Sequence, residues 1–333
     1  MADSFDRRTA LRAIFMGAVG AASRKAFGGP WPQDTARVFR WEQLGDGYAG
    51  FGAGGNILLW PTSFGAVLVD TKHNGMGASL KREVTALAGE VAAVVVTHHH
   101  ADHAGGIPTF VDDVPVHAQR RGVGRRIVAG RELKAAFTDG QPPELDRWSA
   151  DLPSGAADMV RVDLANFARR IQRLDVQSFA ANVTFTTDDE LDVGNDVVQM
   201  HHAGRGHTDN DAWVRLPEAN VIHAGDLIFN GFHPFVDVDA GATTVGWQHA
   251  LSEIAAACDS ATVVVPGHGA VTDQAGVQAQ WGYFEALRTA VENAIAAGMS
   301  RAEVTALTPD VHRGLGGTRG PDNLGIVFDE LGG

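Results

Sequence analysis

At 333 residues, 44% of them hydrophobic, the chain is long enough for one large or two ordinary domains and too apolar to be disordered. Its 27 Lys and Arg against 40 Asp and Glu leave a formal net charge of −13, which repels a nucleic-acid backbone unless a basic groove is segregated somewhere. The single cysteine, Cys258, excludes an intrachain disulfide and a multi-cysteine metal site, so histidines and carboxylates must hold any metal.

The N-terminal stretch Asp6-Arg7-Arg8-Thr9-Ala10-Leu11-Arg12 precedes a mildly apolar run, Ala13 to Ala22, that is too short to cross a bilayer as a helix. It resembles a twin-arginine export signal. The paired arginines and the leucine three places on match, while Asp6 and Ala10 stand where such signals carry Ser/Thr and Phe. Val19 and Ala21 offer a small-residue cleavage site. Residues 1–27 are therefore expected to be a signal segment that sends the protein to the periplasm or outside the cell. The alternative is an amphipathic or frayed N-terminal helix on a cytoplasmic protein. No other segment is long and apolar enough to span a membrane, so no stable membrane insertion is expected.

After the Gly28–Pro32 linker, strands are predicted at Asn56–Trp60 and Ala66–Asp70 around a turn at 61–65, then an amphipathic helix at Met76–Leu87 and a valine strand at Val91–Val96. Residues from about 114 to 181 are Arg-rich, with helical periodicity broken at Pro142-Pro143 and Pro153, and are expected as a helical insertion. Its Arg120, Arg121, Arg125, Arg126 and Arg131 read as a solvated helix face first and an anion-binding patch second. Strands resume at Thr184–Thr186 and Val197–Met200. A helix at Gln278–Ala296, a capping box at Ser300–Glu303 and a closing helix around Asn323–Leu331 end the chain. Residues 291–333 thus form a helical extension, which either packs on the rest or joins two subunits as a homodimer.

Directly behind the valine strand stands Thr97-His98-His99-His100-Ala101-Asp102-His103-Ala104-Gly105-Gly106. In an extended segment alternate residues project the same way, so His98 and His100 can grip one ion, while Asp102 and His103, a step further round the turn, can face a second. Three more apolar strands deliver a glycine-flanked histidine or aspartate at their far ends. Val197–Met200 leads to Gly206-His207-Thr208, Asn220–Ala224 to Gly225-Asp226, and Ala261–Val265 to Gly267-His268-Gly269. Alone, each later motif is an ordinary loop. Four such ends converging on one cleft would supply a two-metal site with one bridging carboxylate.

From about Phe39 to Phe284 the chain resembles a metallo-β-lactamase-fold hydrolase. The resemblance implies that His98, His100 and His207 hold a first metal, that Asp102, His103 and His268 hold a second, and that Asp226 bridges them. It also implies an αβ/βα sandwich of two mixed β-sheets with helices on the outer faces, spanning about 36–290. Two Zn2+ ions are expected, with iron and manganese left open. Such a pair brings the pKa of a shared water to about 7, so hydroxide can attack the carbonyl of a small ester, lactone, thioester or lactam. Asp102 or Asp226 would relay the proton. His99 is expected to point away, His201 and His202 to orient ligands or cap their strand, and His223 to sit in the core.

Substrate class follows from departures within the family. Asp226 stands where the true β-lactamases with a zinc-binding cysteine carry that cysteine, and a bridging carboxylate is more typical of esterase-, lactonase- and thioesterase-like members. Phe229 occupies the place of a tyrosine in homoserine-lactone hydrolases. The loop Asn230–Asp237 holds no Lys or Arg, which glyoxalase II-like thioesterases need. A hydrophobic acyl or aryl small-molecule substrate is therefore expected on Phe229, Phe232 and Phe235, with His233 as a polar contact; the same phenylalanines could equally pack the loop. The rivals are a mononuclear-iron, persulfide-dioxygenase-like oxidoreductase with the same histidines, and a true β-lactamase. Flavodiiron proteins carry glutamate at His100 and an added flavodoxin domain, and a nuclease would need a basic groove.

Overall fold

The computed structural model describes residues 37–139, 156–194 and 196–333. The expected signal segment, the linker after it, and the prolines at 142, 143 and 153 lie outside the described residues. Twelve strands follow in chain order: β1 (Arg40–Leu44), β2 (Gly47–Phe51), β3 (Ile57–Thr62), β4 (Gly65–Val69), β5 (Val91–Val96), β6 (Val116–Gln119), β7 (Val183–Phe185), β8 (Asp188–Asp192), β9 (Val197–His201), β10 (Trp213–Leu216), β11 (Val221–Phe229) and β12 (Val263–His268). The first seven form one sheet in chain order, antiparallel from β1 to β4 and parallel from β4 to β7. The other five form a second sheet ordered β12-β11-β10-β9-β8, in which only β11 and β12 run parallel.

Strands buried on both faces read as unbroken apolar runs, and successive side chains then enter different cores. Leu58, Val67, Val69 and Val95 point inward to meet Val198, Met200, Val214 and Val265 of the second sheet. Their neighbours Leu59, Leu68, Val94 and Val96 point outward. The helices are α1 (Gly77–Ala88), α2 (Ala101–Ala104), α3 (Arg120–Thr138), α4 (Ala156–Ile171), α5 (Thr244–Ala257), α6 (Gln274–Ala296), α7 (Arg301–Thr305) and α8 (Gly320–Glu330). Leu80 and Val84 of α1, with Val160 and Leu164 of α4, cover the first sheet. Trp247 and Leu251 of α5, Leu287 and Val291 of α6, and Leu324 and Val327 of α8 cover Ile222, Ala224 and Val264 of the second. The result is the αβ/βα sandwich of two mixed sheets that the resemblance implied.

Three details differ from the expected layout. The stretch 114–181 opens with β6, a strand inside the first sheet, and only then turns helical. A boundary after residue 290 falls within α6, and Val304, Leu324, Val327 and Phe328 share one core with Ile222 and Trp247, so the tail packs on the second sheet. β11 runs on past Asp226, which lies inside the strand rather than beyond its end. The register of β11 against β12 slips at Gly225, whose φ of +53° suits glycine. The capping box at Ser300 and Glu303 is present as expected. Among the described residues no helix is long and apolar enough to cross a membrane.

Because the tail and the second sheet share a core, Leu324→Ala is expected to destabilise the whole molecule by about 2–5 kcal/mol in one transition, measured by denaturant unfolding. A separate early transition of the tail would contradict the shared core.

Candidate metal centre

The valine strand β5 ends on a clamp. Asp70, just past β4 in a left-handed conformation (φ +67°), accepts from the backbone nitrogen and the hydroxyl of Thr97, both at 2.8 Å. Its Oδ2 also lies 2.6 Å from Nδ1 of His103, so one buried carboxylate fixes both ends of the His98–His103 segment. The remote nitrogen of each neighbouring ring is tethered too. His98 Nδ1 is 3.1 Å from Thr97 Oγ1, His100 Nε2 is 2.8 Å from Asp237 Oδ2, and His207 Nδ1 is 2.6 Å from the carbonyl of Phe235. An oxygen partner on the far nitrogen orients an imidazole and leaves the near nitrogen's lone pair for a cation.

All seven residues named from the sequence meet in one place, centred on Asp226, which is only 4% exposed. Its Oδ2 lies 3.4 Å from His207 Nε2 and 3.8 Å from His98 Nε2. Its Oδ1 lies 3.0 Å from His103 Nε2 and 3.4 Å from His268 Nε2. Asp102 Oδ2 is 3.2 Å from His268 Nε2 and 3.6 Å from His103 Nε2, and His207 Nε2 is 2.9 Å from His100 Nδ1. Two donor sets result, His98, His100, His207 and Asp226, and Asp102, His103 and His268, each with ligand atoms within 4.8 Å of one another. Gly267 makes this approach possible, because a Cβ there would lie 1.9 Å from Asp226 Oδ1.

The donor atoms suit metal ions. His98 Nε2 is buried without a hydrogen bond, and His103 Nε2 and Asp226 Oδ1 approach each other without the alignment of one, although buried polar atoms are nearly always paired. Among protein groups alone the two sets differ in charge. Burial, with repulsion from His103, holds His98 well below the ordinary histidine pKa, and burial takes His207 down to about 3 against the pull of Asp226. At His103 burial opposes the charge, but Asp226, Asp102 and Asp70 outweigh it and hold the pKa well above its usual value. Burial likewise opposes, and Asp226 and Asp102 outweigh, at His268, raised to about 9. Burial alone would raise Asp226; His103 and His268 hold it far below the carboxylate range instead.

Other residues fall outside this cluster. His99 turns its Nδ1 to Asn210 at 3.0 Å, His201 pairs with Asp188 and stacks on Trp213, and His202 meets the carbonyl of Asp211 at 2.6 Å. His223 is buried with Nε2 at the carbonyl of Asn56. Of the four residues expected to touch substrate, two border the histidines: Phe229 stacks on His268 and Phe235 on His100. The other two face the tail. Phe232 pairs with Gly316, and His233 contacts Tyr283 and His312. The tail also lays the Arg319 guanidinium 4.5 Å over the Phe235 ring, a cation near the site that the loop itself lacks. Neither Asp70 nor Asp237 stood out in the sequence. The only signal for Asp70 was an acidic residue closing an apolar strand, and Asp237 had none.

The metallo-beta-lactamase superfamily model matches residues 56–268. This chain belongs to that superfamily. It is a metal-dependent hydrolase, and its curated relatives include "Metallo-beta-lactamase type 2" of Bacillus cereus, 25% identical over 232 residues that cover 68% of this chain and 72% of the relative. A protein of the same name from Bacillus sp. (strain 170) is 25% identical over 224 residues, covering 66% and 68%. Among solved structures, DIM-1 metallo-beta-lactamase superposes with a TM-score of 0.53 at 16% identity over 75% of this chain and 99% of its own. TMB-1 gives 0.52 at 15%, over 74% and 97%. These two similarities establish the fold of this superfamily member.

Two outcomes follow from the centre's wiring. Asp237→Asn keeps the oxygen that caps Ala240 but removes the charge on His100, and is expected to weaken metal binding or activity about 10- to 100-fold at unchanged thermal stability. Equal metal affinity in a chelator competition would contradict the tether. Zinc binding through His103 and His268 on chelator-treated protein would displace their protons, because a ligand nitrogen needs its lone pair. Both pKa values are raised, so affinity is expected to climb with pH from the ordinary histidine range toward about 9. Calorimetry in buffers of different ionisation enthalpy reads the released protons, and a pH-independent, proton-neutral uptake would contradict this charge state.

Proposed function

We propose that this protein is a dinuclear-zinc hydrolase of small carbonyl substrates, with His98, His100 and His207 holding one ion, Asp102, His103 and His268 the other, and Asp226 shared between them. The observation that carries the reading is the buried Asp226 carboxylate, whose two oxygens face different pairs of imidazoles. Zinc bound there would acidify a water to a pKa of about 7 and polarise the substrate carbonyl. The protein's own groups divide the remaining work. Asp226 is shielded from solvent, whereas Asp102 keeps 22% of its side chain exposed. Asp102 is therefore the carboxylate that passes protons between the centre and solvent, and Asp226 stays an anion that holds the two donor sets together. Phe229 and Phe235, stacked on His268 and His100, exclude water from one side and favour an apolar acyl or aryl group.

Esters, lactones and thioesters rank first because a carboxylate stands at position 226. Lactam hydrolysis is the second reading, supported by the names of the curated relatives. The test is turnover by zinc-loaded protein across aryl ester, thioester, lactone and lactam panels, with oxygen consumption followed in parallel. His98→Ala is expected to lower hydrolysis on the order of a thousandfold, the rate equivalent of the several kcal/mol a bound metal supplies, with the circular dichroism spectrum unchanged. Retained hydrolysis rejects the assigned centre, oxygen uptake in place of hydrolysis supports an iron oxygenase, and preference for lactams reverses the substrate ranking.

A further inference from the structure

The ring of Phe229 borders the histidine cluster. One side of it stacks on His268, with centroids 5.1 Å apart and planes at 20°, and the same residue lines a cavity of about 180 Å3. The tail closes that cavity. Val311 and Leu315 form one wall, and the segment is held against the loop after β11 by two main-chain hydrogen bonds, from Gly316 N to the Gly231 carbonyl at 2.9 Å and from His233 N to the Gly316 carbonyl at 3.0 Å. Phe232 and Ala279 lie at the rim and are exposed. Gln280, only 5% exposed, lines the cavity beside Phe229. Its Oε1 accepts from the Phe229 backbone at 3.0 Å, while its Nε2 makes no hydrogen bond among the described residues. That donor keeps contact with solvent, so an acceptor on an occupant would take the place of water there.

Size and polarity define the occupant. An apolar cavity of about 150 Å3 takes one benzene ring, so this one has room for a single aryl ring or a chain of about six carbons, and not for a fused bicycle. We infer that the cavity receives the non-reacting apolar arm of the substrate, with a hydrogen-bond acceptor near the root of that arm meeting Gln280 Nε2 and the reacting carbonyl left beside Asp226 and His268. Phe229 borders both compartments, and the tail, by supplying Val311 and Leu315, sets how long the arm can be. The inference rests on the hydrolase reading for its chemistry, but the cavity can be tested without turnover.

Zinc-loaded full-length protein is assayed on aryl esters of straight-chain acids from acetyl to decanoyl and of phenylacetic acid. The value of kcat/KM is expected to rise about fourfold per methylene, as burial of each one predicts, to a maximum near six carbons or phenylacetyl, and then to fall. Ala279→Phe, a change at an exposed helix position, is expected to lower kcat/KM for the hexanoyl ester at least tenfold more than for the acetyl ester. Leu315→Ala is expected to move the optimum to longer chains. Separately, phenylacetamide, which has one ring and one amide acceptor, is titrated against wild type and Ala279→Phe by tryptophan fluorescence, and at least tenfold weaker binding to the variant is expected. A flat chain-length profile, or equal losses on both esters, overturns the inference. Binding of phenylacetamide that Ala279→Phe weakens, with no ester turned over, keeps the cavity and rejects the hydrolase reading instead.

Discussion

A carboxylate placed almost entirely out of water sets the terms for everything around it. Burying one unpaired charge costs far more than one hydrogen bond returns, so Asp226 can exist where it does only because four imidazole nitrogens lie within 3.8 Å of it. Those nitrogens come from opposite halves of the molecule. His98 and His103 follow β5 of the first sheet, His207 lies in the loop between β9 and β10, and His268 ends β12. The inter-sheet core of Leu58, Val95, Val198 and Val265 therefore does more than bury apolar area. It fixes the separation at which the two sets of imidazoles can reach the same carboxylate.

A second tier of buried groups keeps those rings from turning. Asp70 restrains both Thr97 and His103, and behind it Lys72 is fully buried with its ammonium on the carbonyls of Gly50 and Gly55 at 2.9 and 2.7 Å. Burial lowers the Lys72 pKa to about 7, although Asp70, Asp102 and Glu83 pull it upward. The lysine ties β2 to the Gly55 loop, and that loop presses on His103 so closely that a Cβ at Gly55 would lie 2.1 Å from the ring. Rigidity at the centre is thus built from charge compensation several residues deep. Such wiring suits a site whose histidines and carboxylates must keep fixed orientations.

How much of this was readable in advance depended on whether one residue's pattern carried the information. Apolar runs such as Val91–Val96 announced strands because both of their faces are buried, and the glycine-flanked histidines and aspartates behind them identified all seven residues that meet in the centre. β1, β2, β6, β8 and β10 were missed because each is only four or five residues long, too short for a periodic pattern to stand out, and β8, Asp188–Asp192, has no buried residue at all. The slip at Gly225 that places Asp226 inside β11 is a property of two strands together and has no signature in one. Asp237, and the turning of Phe232 and His233 toward the tail, depend on contacts between residues far apart in the chain. No local motif could have carried them.

The superfamily match ends at His268, yet the chain goes on to build α6, α7 and α8, and this continuation divides labour in the molecule. The cluster of histidines and aspartates lies within the matched region, whereas the tail contributes Arg319 over Phe235 and the Val311 and Leu315 wall. Function sits in sites grafted onto a shared fold, and a tail that touches the aromatic border of the cluster without touching its histidines and aspartates is a place where selectivity can change while chemistry is kept. The separation is incomplete. Trp247 belongs to the core that α8 completes, its indole nitrogen donates to the Leu227 carbonyl next to Asp226, and its ring lies 5.4 Å from that of His207. Substitutions on the tail's cavity-facing side can therefore act independently of the centre, while those on its core-facing side must be felt at His207, because packed neighbours sharing a core couple and distant ones do not.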